Sequence, residues 1–346
     1  YYHWKEKIRT LVHGDDFISV GTRKELQWMR KTLEGRFEIS TKVIGKGAGE
    51  SREEKVLNRI ITVGDDGWTY EPDQRHAELI IRELGLTEAK GVKTPGEGER
   101  PWMIEESDQL LGDGDARKFR GISARANYLA LDRADIQYST KEICRGMAQP
   151  TQKDMQKLRR LGRYLIDHPR VVTVYKYQDR GEELSGYTDS DWAGCKRTAR
   201  STSGGAIMIG GHTIKSWSST QKSITLSSGE AELAAVVKMS CELIGVMQMM
   251  KEWGIEMYGR VWVDSSTALG IVRRRGNGKV RHVRVGQLWV QEAQENGVLA
   301  YEKVLGTANP SDLMTKYLNG IEIQKHMQFM KQVYVKGKAS KGLDLV

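Results

Sequence analysis

Four acidic residues stand in four separate motifs in the second half of this 346-residue chain. Asp189 lies in Tyr187-Thr188-Asp189-Ser190-Asp191-Trp192, and Glu232 in Ser227-Ser228-Gly229-Glu230-Ala231-Glu232-Leu233. Asp264 lies in Trp262-Val263-Asp264-Ser265, and Asp312 in Asn309-Pro310-Ser311-Asp312-Leu313. Carboxylates spaced so widely cannot form one local metal loop; only a fold can bring them together. Once together they repel each other unless hard cations neutralise them. Two magnesium ions held this way assist in-line attack of water on a phosphodiester.

Each acid also has a purely structural reading. Asp189 sits where a strand ends and could open a turn, and its neighbour Asp191 is a rival for the metal role. Ser227 and Glu230 have the spacing of a capping box, in which Glu230 bonds the cap backbone. Glu232 lies two residues on, about 200° around the same helix, so it can face a sheet while Glu230 faces the cap. Asp264 ends an apolar strand, where side chains project beyond a sheet edge. Asp312 could be an early-helix acid, with Asn309 as cap and Pro310 as first helical residue. The same placement aims it back toward a sheet edge.

The order Asp, Glu, Asp, Asp and the words around it resemble the ribonuclease H end of a copia-type retrotransposon polyprotein. The matching words are Gly186-Tyr187-Thr188-Asp189-Ser190-Asp191-Trp192-Ala193-Gly194, Ser201-Thr202-Ser203-Gly204-Gly205, Ser216-Trp217 with Gln221, the Glu-Ala-Glu run, Val263-Asp264-Ser265, and Asp312-Leu313-Met314-Thr315-Lys316. They fall in the family's order across residues 184–318. The sequence departs from the family's pattern at Gly229, Cys195 and Ser311, none of them a proposed ligand. The resemblance implies a mixed α/β fold: a ribonuclease H-like five-stranded sheet with flanking helices. It also implies Asp189, Glu232, Asp264 and Asp312 as catalytic ligands of two Mg2+ ions (Mn2+ may substitute), and an RNA–DNA hybrid as substrate. His282 aligns with a Lys-His-Ile word of the family and is expected to assist product release or proton transfer, or else to be a loop residue at the nucleic-acid backbone.

The N-terminal half resembles the end of the same element's reverse transcriptase. His13-Gly14-Asp15-Asp16, between two short apolar stretches, reads as a hairpin with the acids at its turn. In polymerases such a pair holds metal; the alternative is an ordinary Gly-Asp turn. A polymerase also needs a further metal-binding Asp and fingers, which the family carries upstream of this hairpin. The expected organisation is a partial palm and thumb over 1–95, a linker and helical connection over 96–170, the ribonuclease H domain over 171–320, and a tail over 321–346. The upstream polymerase portion of the same polyprotein is then a partner. Residence is expected in the cytoplasm within a virus-like particle, or in the nucleus, without secretion.

Local signals support that division. Thr22 and Glu25 form a capping box for a helix to Glu34, stopped by Gly35. Strand-like stretches follow at 36–44 and 56–63, then a helix over 73–84. Segment 91–115, rich in Gly, Pro and acids, reads as a surface linker. Helices fill 116–168. From 171 the pattern turns to strands, with Gly210-Gly211 as a hairpin signal. Helices are expected over 230–253, 265–274, 283–296 and 310–318, with strands over 261–264 and 298–304.

Composition agrees. The net charge of +9 favours a polyanionic partner such as a nucleic acid backbone. Ser190, Ser265 and the Ser201–Ser203 run are candidate donors to a 2′-hydroxyl. Arg273, Arg274, Arg275, Lys279, Arg281 and Arg284 form a basic loop suited to phosphates. Arg159, Arg160, Arg163 and Arg170 offer a second track or a solvated helix face. The three cysteines are odd in number and far apart, with no Cys-x-x-Cys pair, so they suggest neither a zinc site nor a disulfide framework. No run of about 18 apolar residues stands out, so no membrane span is expected. Two competing readings are an inactive nucleic-acid-binding remnant and an integrase-like nuclease. Integrases order their acids Asp, Asp, Glu and lack the fourth motif.

Overall fold

A computed structural model describes residues 1–98, 109–278, 280 and 282–342. Its first strands, β1 (Tyr2–His3), β2 (Ile8–His13) and β3 (Asp16–Val20), form a three-stranded antiparallel sheet. The β2–β3 turn is Gly14-Asp15, and Gly14 takes φ +62°, a conformation glycine adopts at little cost. Helix α1 (Arg23–Glu34) opens on the Thr22/Glu25 capping box and stops at Gly35, as the sequence indicates.

Segment 36–44 is not a strand. Arg36 and Phe37 N–H bond back to the Leu33 carbonyl at the end of α1, the only bridge to another segment among the described residues is the isolated one between Ile44 and Ser51, and Phe37 and Ile39 are exposed. Alternating residues make a strand only where a neighbour takes up the backbone hydrogen bonds. The expected strand at 56–63 is instead a hairpin of β4 (Glu53–Val56) and β5 (Arg59–Val63). Leu57 and Asn58 turn it with positive φ of 47° and 60°, the backbone of a tight hairpin. After β6 (Gly67–Pro72) come α2 (Arg75–Glu83), α3 (Asp113–Ala130), α4 (Ala134–Cys144) and α5 (Gln152–Asp167). Phe119, Ile122, Ile136, Leu158 and Leu161 form the core of these four helices. The expected linker ends earlier than 115. Gly112 is the N-cap of α3, and Asp113 and Asp115 lie in its first turn, where acids complement the helix dipole. Residues 99–108 of that linker lie outside the described residues.

Strand β7 (Val171–Lys176) corrects the expected boundary at 171. It pairs with β6 and with β13 (Gln332–Tyr334), completing the antiparallel sheet β13-β7-β6-β5-β4. The expected tail therefore folds back: α9 (Gly320–Phe329) buries Ile323 and Met327, and β13 adds an edge strand to the N-terminal half. A buried Arg133–Asp135 ion pair, extended by Tyr164 and Tyr334, ties this region together.

The remaining sheet has the order β10-β9-β8-β11-β12. It uses β8 (Glu183–Asp191), β9 (Thr202–Ile209), β10 (His212–Thr220), β11 (Tyr258–Val263) and β12 (Leu299–Lys303). The first three strands are antiparallel; β11 runs parallel to both β8 and β12. This is the ribonuclease H-like mixed sheet that the resemblance implied. Helix α6 (Ser228–Glu252) lies across it and buries Leu233, Val236, Met239 and Leu243. Gly186 on β8 admits that approach, since a Cβ there would stand 2.5 Å from Met239 Sδ. By length and composition α6 could cross a membrane, contrary to the sequence expectation. Here it is the central core helix of the sheet. Helices α7 (Ser266–Val272) and α8 (Trp289–Glu295) complete the layer. Residues 283–288 before α8 are looser than the expected long helix, and 310–314 form a 3-10 turn rather than an α-helix.

Candidate metal centre

Strand register places two of the acids, Asp189 and Asp264, together. Thr188 pairs with Val263 across the parallel strands β8 and β11. Asp189 and Asp264 follow one residue later, at the C-terminal edge where adjacent strands lie about 4.8 Å apart. Helix α6 begins over the same edge and brings Glu232 from above. Ligand oxygens of Asp189, Glu232 and Asp264 all lie within 4.8 Å of one another. Among the described residues this is the only such group of His, Cys, Asp or Glu.

Asp312 stands beside this trio rather than inside it. It lies on the 3-10 turn Pro310–Met314, which Asn309 caps by accepting from Ser311 N–H at 3.2 Å. The Asn309 amide donates to the Thr188 carbonyl at 2.9 Å and fastens the turn to β8. Thr315 Oγ1 donates to Asp189 Oδ2. Gly204 on β9 makes room, because a Cβ there would stand 2.7 Å from Thr315 Cγ2. Lys316 completes the arrangement: Nζ lies 2.8 Å from Asp312 Oδ1 and 3.7 Å from Asp189 Oδ2. Thr315 and Lys316 belong to the fourth sequence motif, but the motif assigns neither a role. Their signal is spacing, since Lys316 is four residues after Asp312.

The electrostatics separate the two glutamates. Glu230 behaves as a cap: its side chain accepts from Leu226 N–H at 3.0 Å and Ser227 Oγ at 3.0 Å. Burial works to raise its pKa, but those bonds and His282 outweigh it and hold Glu230 below the ordinary carboxylate range. Glu232 is pushed up to about 9, by burial first and then by Asp189 and Asp264. Burial and Asp189 likewise raise Asp264 and push Asp312 up to about 7. Glu232 Oε2 is buried without a hydrogen-bond partner. Mutually repelling carboxylates and an orphaned carboxylate oxygen are the donor set that a hard divalent cation takes. The residues therefore fit the metal that the resemblance implies.

The rival Asp191 has another task. Its Oδ1 accepts from Thr202 N–H and closes the loop 192–201 onto β9. Ser190 is also committed. Its hydroxyl donates to the Asp191 carbonyl at 3.0 Å and accepts from Gln221 Nε2 at 3.2 Å, while its N–H bonds Glu232. The Ser201–Ser203 run is buried, and Ser265 caps α7 by accepting from Ala268 N–H. None of these serines is the free surface donor the sequence suggested. Gly229, one of the departures, faces Thr267, whose Cγ2 would lie 2.5 Å from a Cβ. Ser311 is completely buried and its hydroxyl has no partner, which costs about 1 kcal/mol or more against an apolar side chain.

Three arginines of the basic loop have partners within the chain. Arg273 donates to the Tyr301 carbonyl at 2.7 Å and pairs with Glu302 on the edge strand. Arg274 donates to the Asn277 carbonyl, and Arg275 pairs with Glu295 on α8. Lys279 and Arg281 lie outside the described residues. His282 Nε2 lies 2.8 Å from Glu230 Oε1, at the cap rather than among the ligands. On the second track, Arg160 pairs with Glu97, Arg163 donates to the Lys90 carbonyl, and Arg170 makes a two-point contact with Glu71. Asp15 and Asp16 are exposed on their hairpin, remote from the trio in the fold. That hairpin's sheet meets the far end of α6, where Arg9 donates to the Trp253 carbonyl at 3.4 Å.

No family model matches the chain. The retrovirus-related Pol polyprotein from transposon RE1 of Arabidopsis thaliana is 29% identical over 257 residues, 72% of this chain and 17% of that protein. An uncharacterized mitochondrial protein of Arabidopsis thaliana is 33% identical over 170 residues, 49% of this chain and 68% of that protein. This chain thus spans only 17% of the length of the first two Pol polyproteins it matches. Among solved structures, LC11-RNase H1 isolated from compost is 15% identical, with 42% of this chain and 99% of that one covered at a TM-score of 0.32.

Proposed function

The chain belongs to the family of retrovirus-related Pol polyproteins of transposons, and on that premise we propose that it hydrolyses the RNA strand of RNA–DNA hybrids endonucleolytically. The observation that carries this reading is the convergence of Asp189, Glu232 and Asp264 at one sheet edge, with Asp312 alongside. We assign two Mg2+ ions to these carboxylates, with Mn2+ as a substitute. Bound there, the ions supply an activated water and neutralise charge on the leaving 3′ oxygen. The products are a 5′-phosphate and a 3′-hydroxyl. The protein's part is preorganisation. Thr315 fixes the rotamer of Asp189, Ser190 N–H orients Glu232, and Asn309 anchors the turn that presents Asp312. Magnesium-dependent degradation of the RNA strand of a hybrid by the purified chain tests this. A folded chain that binds hybrid and never cuts it would instead be the inactive remnant.

We propose that Asp15 and Asp16 are a polymerase remnant without activity in this chain. Among the described residues no third acidic, His or Cys ligand joins them. The purified chain is expected to add no nucleotide to a primed template, and measurable primer extension would refute this. Leu11, Phe17 and Val20 are exposed on the same hairpin, which supports docking against the polymerase portion of the same polyprotein.

We also propose that Arg273, Arg274 and Arg275 serve the fold rather than the substrate backbone, since each has an intramolecular partner: Arg273 on β12, Arg274 within its own loop and Arg275 on α8. Changing all three to Ala should then leave the salt dependence of hybrid affinity unchanged. A log–log slope lower by about one per residue would return them to the phosphates.

A further inference from the structure

Lys316 occupies one flank of the carboxylate cluster. Its ammonium is 2.8 Å from Asp312 Oδ1 and 3.7 Å from Asp189 Oδ2. The Asp312 contact is an ion pair by distance without the alignment of a hydrogen bond, and that oxygen has no other partner. The ligand oxygens that gather within 4.8 Å are those of Asp189, Glu232 and Asp264; Asp312 is not among them. The cluster thus divides into a three-carboxylate pocket and a fourth carboxylate already faced by a cation.

The sum of charges shows the consequence. Four ionised carboxylates carry −4, and two divalent cations bring +4. Lys316 would make the filled site net positive in partly buried surroundings, where like charges a few ångströms apart repel strongly. With one divalent ion and Lys316 in place the sum is −1, which a site open to water on its Lys316 flank tolerates. The Lys316 side chain is 48% exposed, so its stem can carry the ammonium outward into water.

We propose that Lys316 is a built-in cation standing on the Asp189–Asp312 side of the cluster, so that the two divalent ions bind unequally. The first ion takes the Asp189, Glu232 and Asp264 pocket. Asp189 and Asp312 would hold the second only with Lys316 swung outward, and therefore weakly. Lys316 is a positioning residue here: in the metal-free chain it neutralises Asp312, and it sets the order of loading. This inference rests on the metal-nuclease reading above.

The test is a calorimetric titration of the full chain with Mn2+ alone, together with melting curves in metal-free buffer. Wild type should show one tight and one weak step. Lys316→Met should tighten the second step by at least about tenfold, leave the first unchanged, and lower the metal-free melting temperature. Asp312→Asn combined with Lys316→Met should lose the second step and recover metal-free stability relative to the single change. Lys316→Arg, which keeps the charge, should reproduce the wild-type isotherm even if Lys316→Met melts too low to titrate without metal. An unchanged second step in Lys316→Met, or an Arg variant with a tightened second step, overturns the role of Lys316 alone. Folded wild-type chain that takes up no Mn2+ overturns the metal-nuclease reading and this inference with it.

Discussion

Glu232→Gln is expected to abolish the proposed cleavage of an RNA–DNA hybrid, by at least about 10²-fold, while the chain stays folded. Glu232 is the member of the trio with an orphaned buried oxygen, and its charge is opposed by burial, Asp189 and Asp264. The amide keeps the volume and removes that charge. It therefore deletes a ligand without cutting a cavity or stranding a partner, and the metal-free protein should melt no lower than wild type. Asp189→Asn and Asp264→Asn should silence cleavage equally. Glu230→Gln is the contrasting change, two residues away on the same helix. It weakens the bonds to Leu226 N–H and Ser227 Oγ and the contact with His282. It should cost on the order of 1 kcal/mol of stability, as loss of a cap does, and leave cleavage largely intact. Paired cleavage assays and thermal melts on these variants decide the matter. Activity surviving Glu232→Gln but lost in Glu230→Gln would reverse the assignment of the two acids.

The distinction between these glutamates is legible in the amino-acid sequence because it is local. A Ser-x-x-Glu spacing names the cap, and helical geometry then points Glu232 elsewhere. The α1 capping box and the Gly210-Gly211 turn are legible for the same reason. Pairing across long sequence separation is not. Nothing in Val171–Lys176 says that it joins β6 and β13 rather than β8, because strand patterns do not encode their neighbours. The same holds for α9 and β13, which look like a tail until β7 offers its edge. Within the site, the four motifs indicate convergence, but not that Asp312 stands apart with Lys316. The partners of the basic loop are hidden from the sequence for a related reason. Arg273 and Arg275 carry charge in any sequence reading, and only the fold supplies Glu302 and Glu295 to meet it.

Stability should depend on pH in opposite directions with and without metal. In the metal-free folded chain Glu232 is pushed from 4.5 up to about 9, so between those values the folded state holds a proton that the unfolded chain releases. Asp312 does the same from 3.8 up to about 7. Stability from such groups is full at low pH and is lost as pH rises through the folded value, by at most about 1.4 kcal/mol per pH unit for each group. His76 and His326 act the other way. Burial lowers both, so they add stability as pH rises through their range. The contribution of the carboxylates is therefore read as the difference between wild type and Glu232→Gln. In chelator, from about pH 6 to about pH 8, wild type should lose stability relative to Glu232→Gln. With Mg2+ or Mn2+ the sign reverses. The ion binds only the deprotonated carboxylates, so its stabilisation grows as protons leave, and wild type should gain on the variant over the same range. Melting curves at several pH values, with chelator and with metal, measure this. Parallel curves for wild type and Glu232→Gln in both conditions would mean that Glu232 neither suffers its neighbours' charge nor meets a cation, and the three acids would then be a structural cluster.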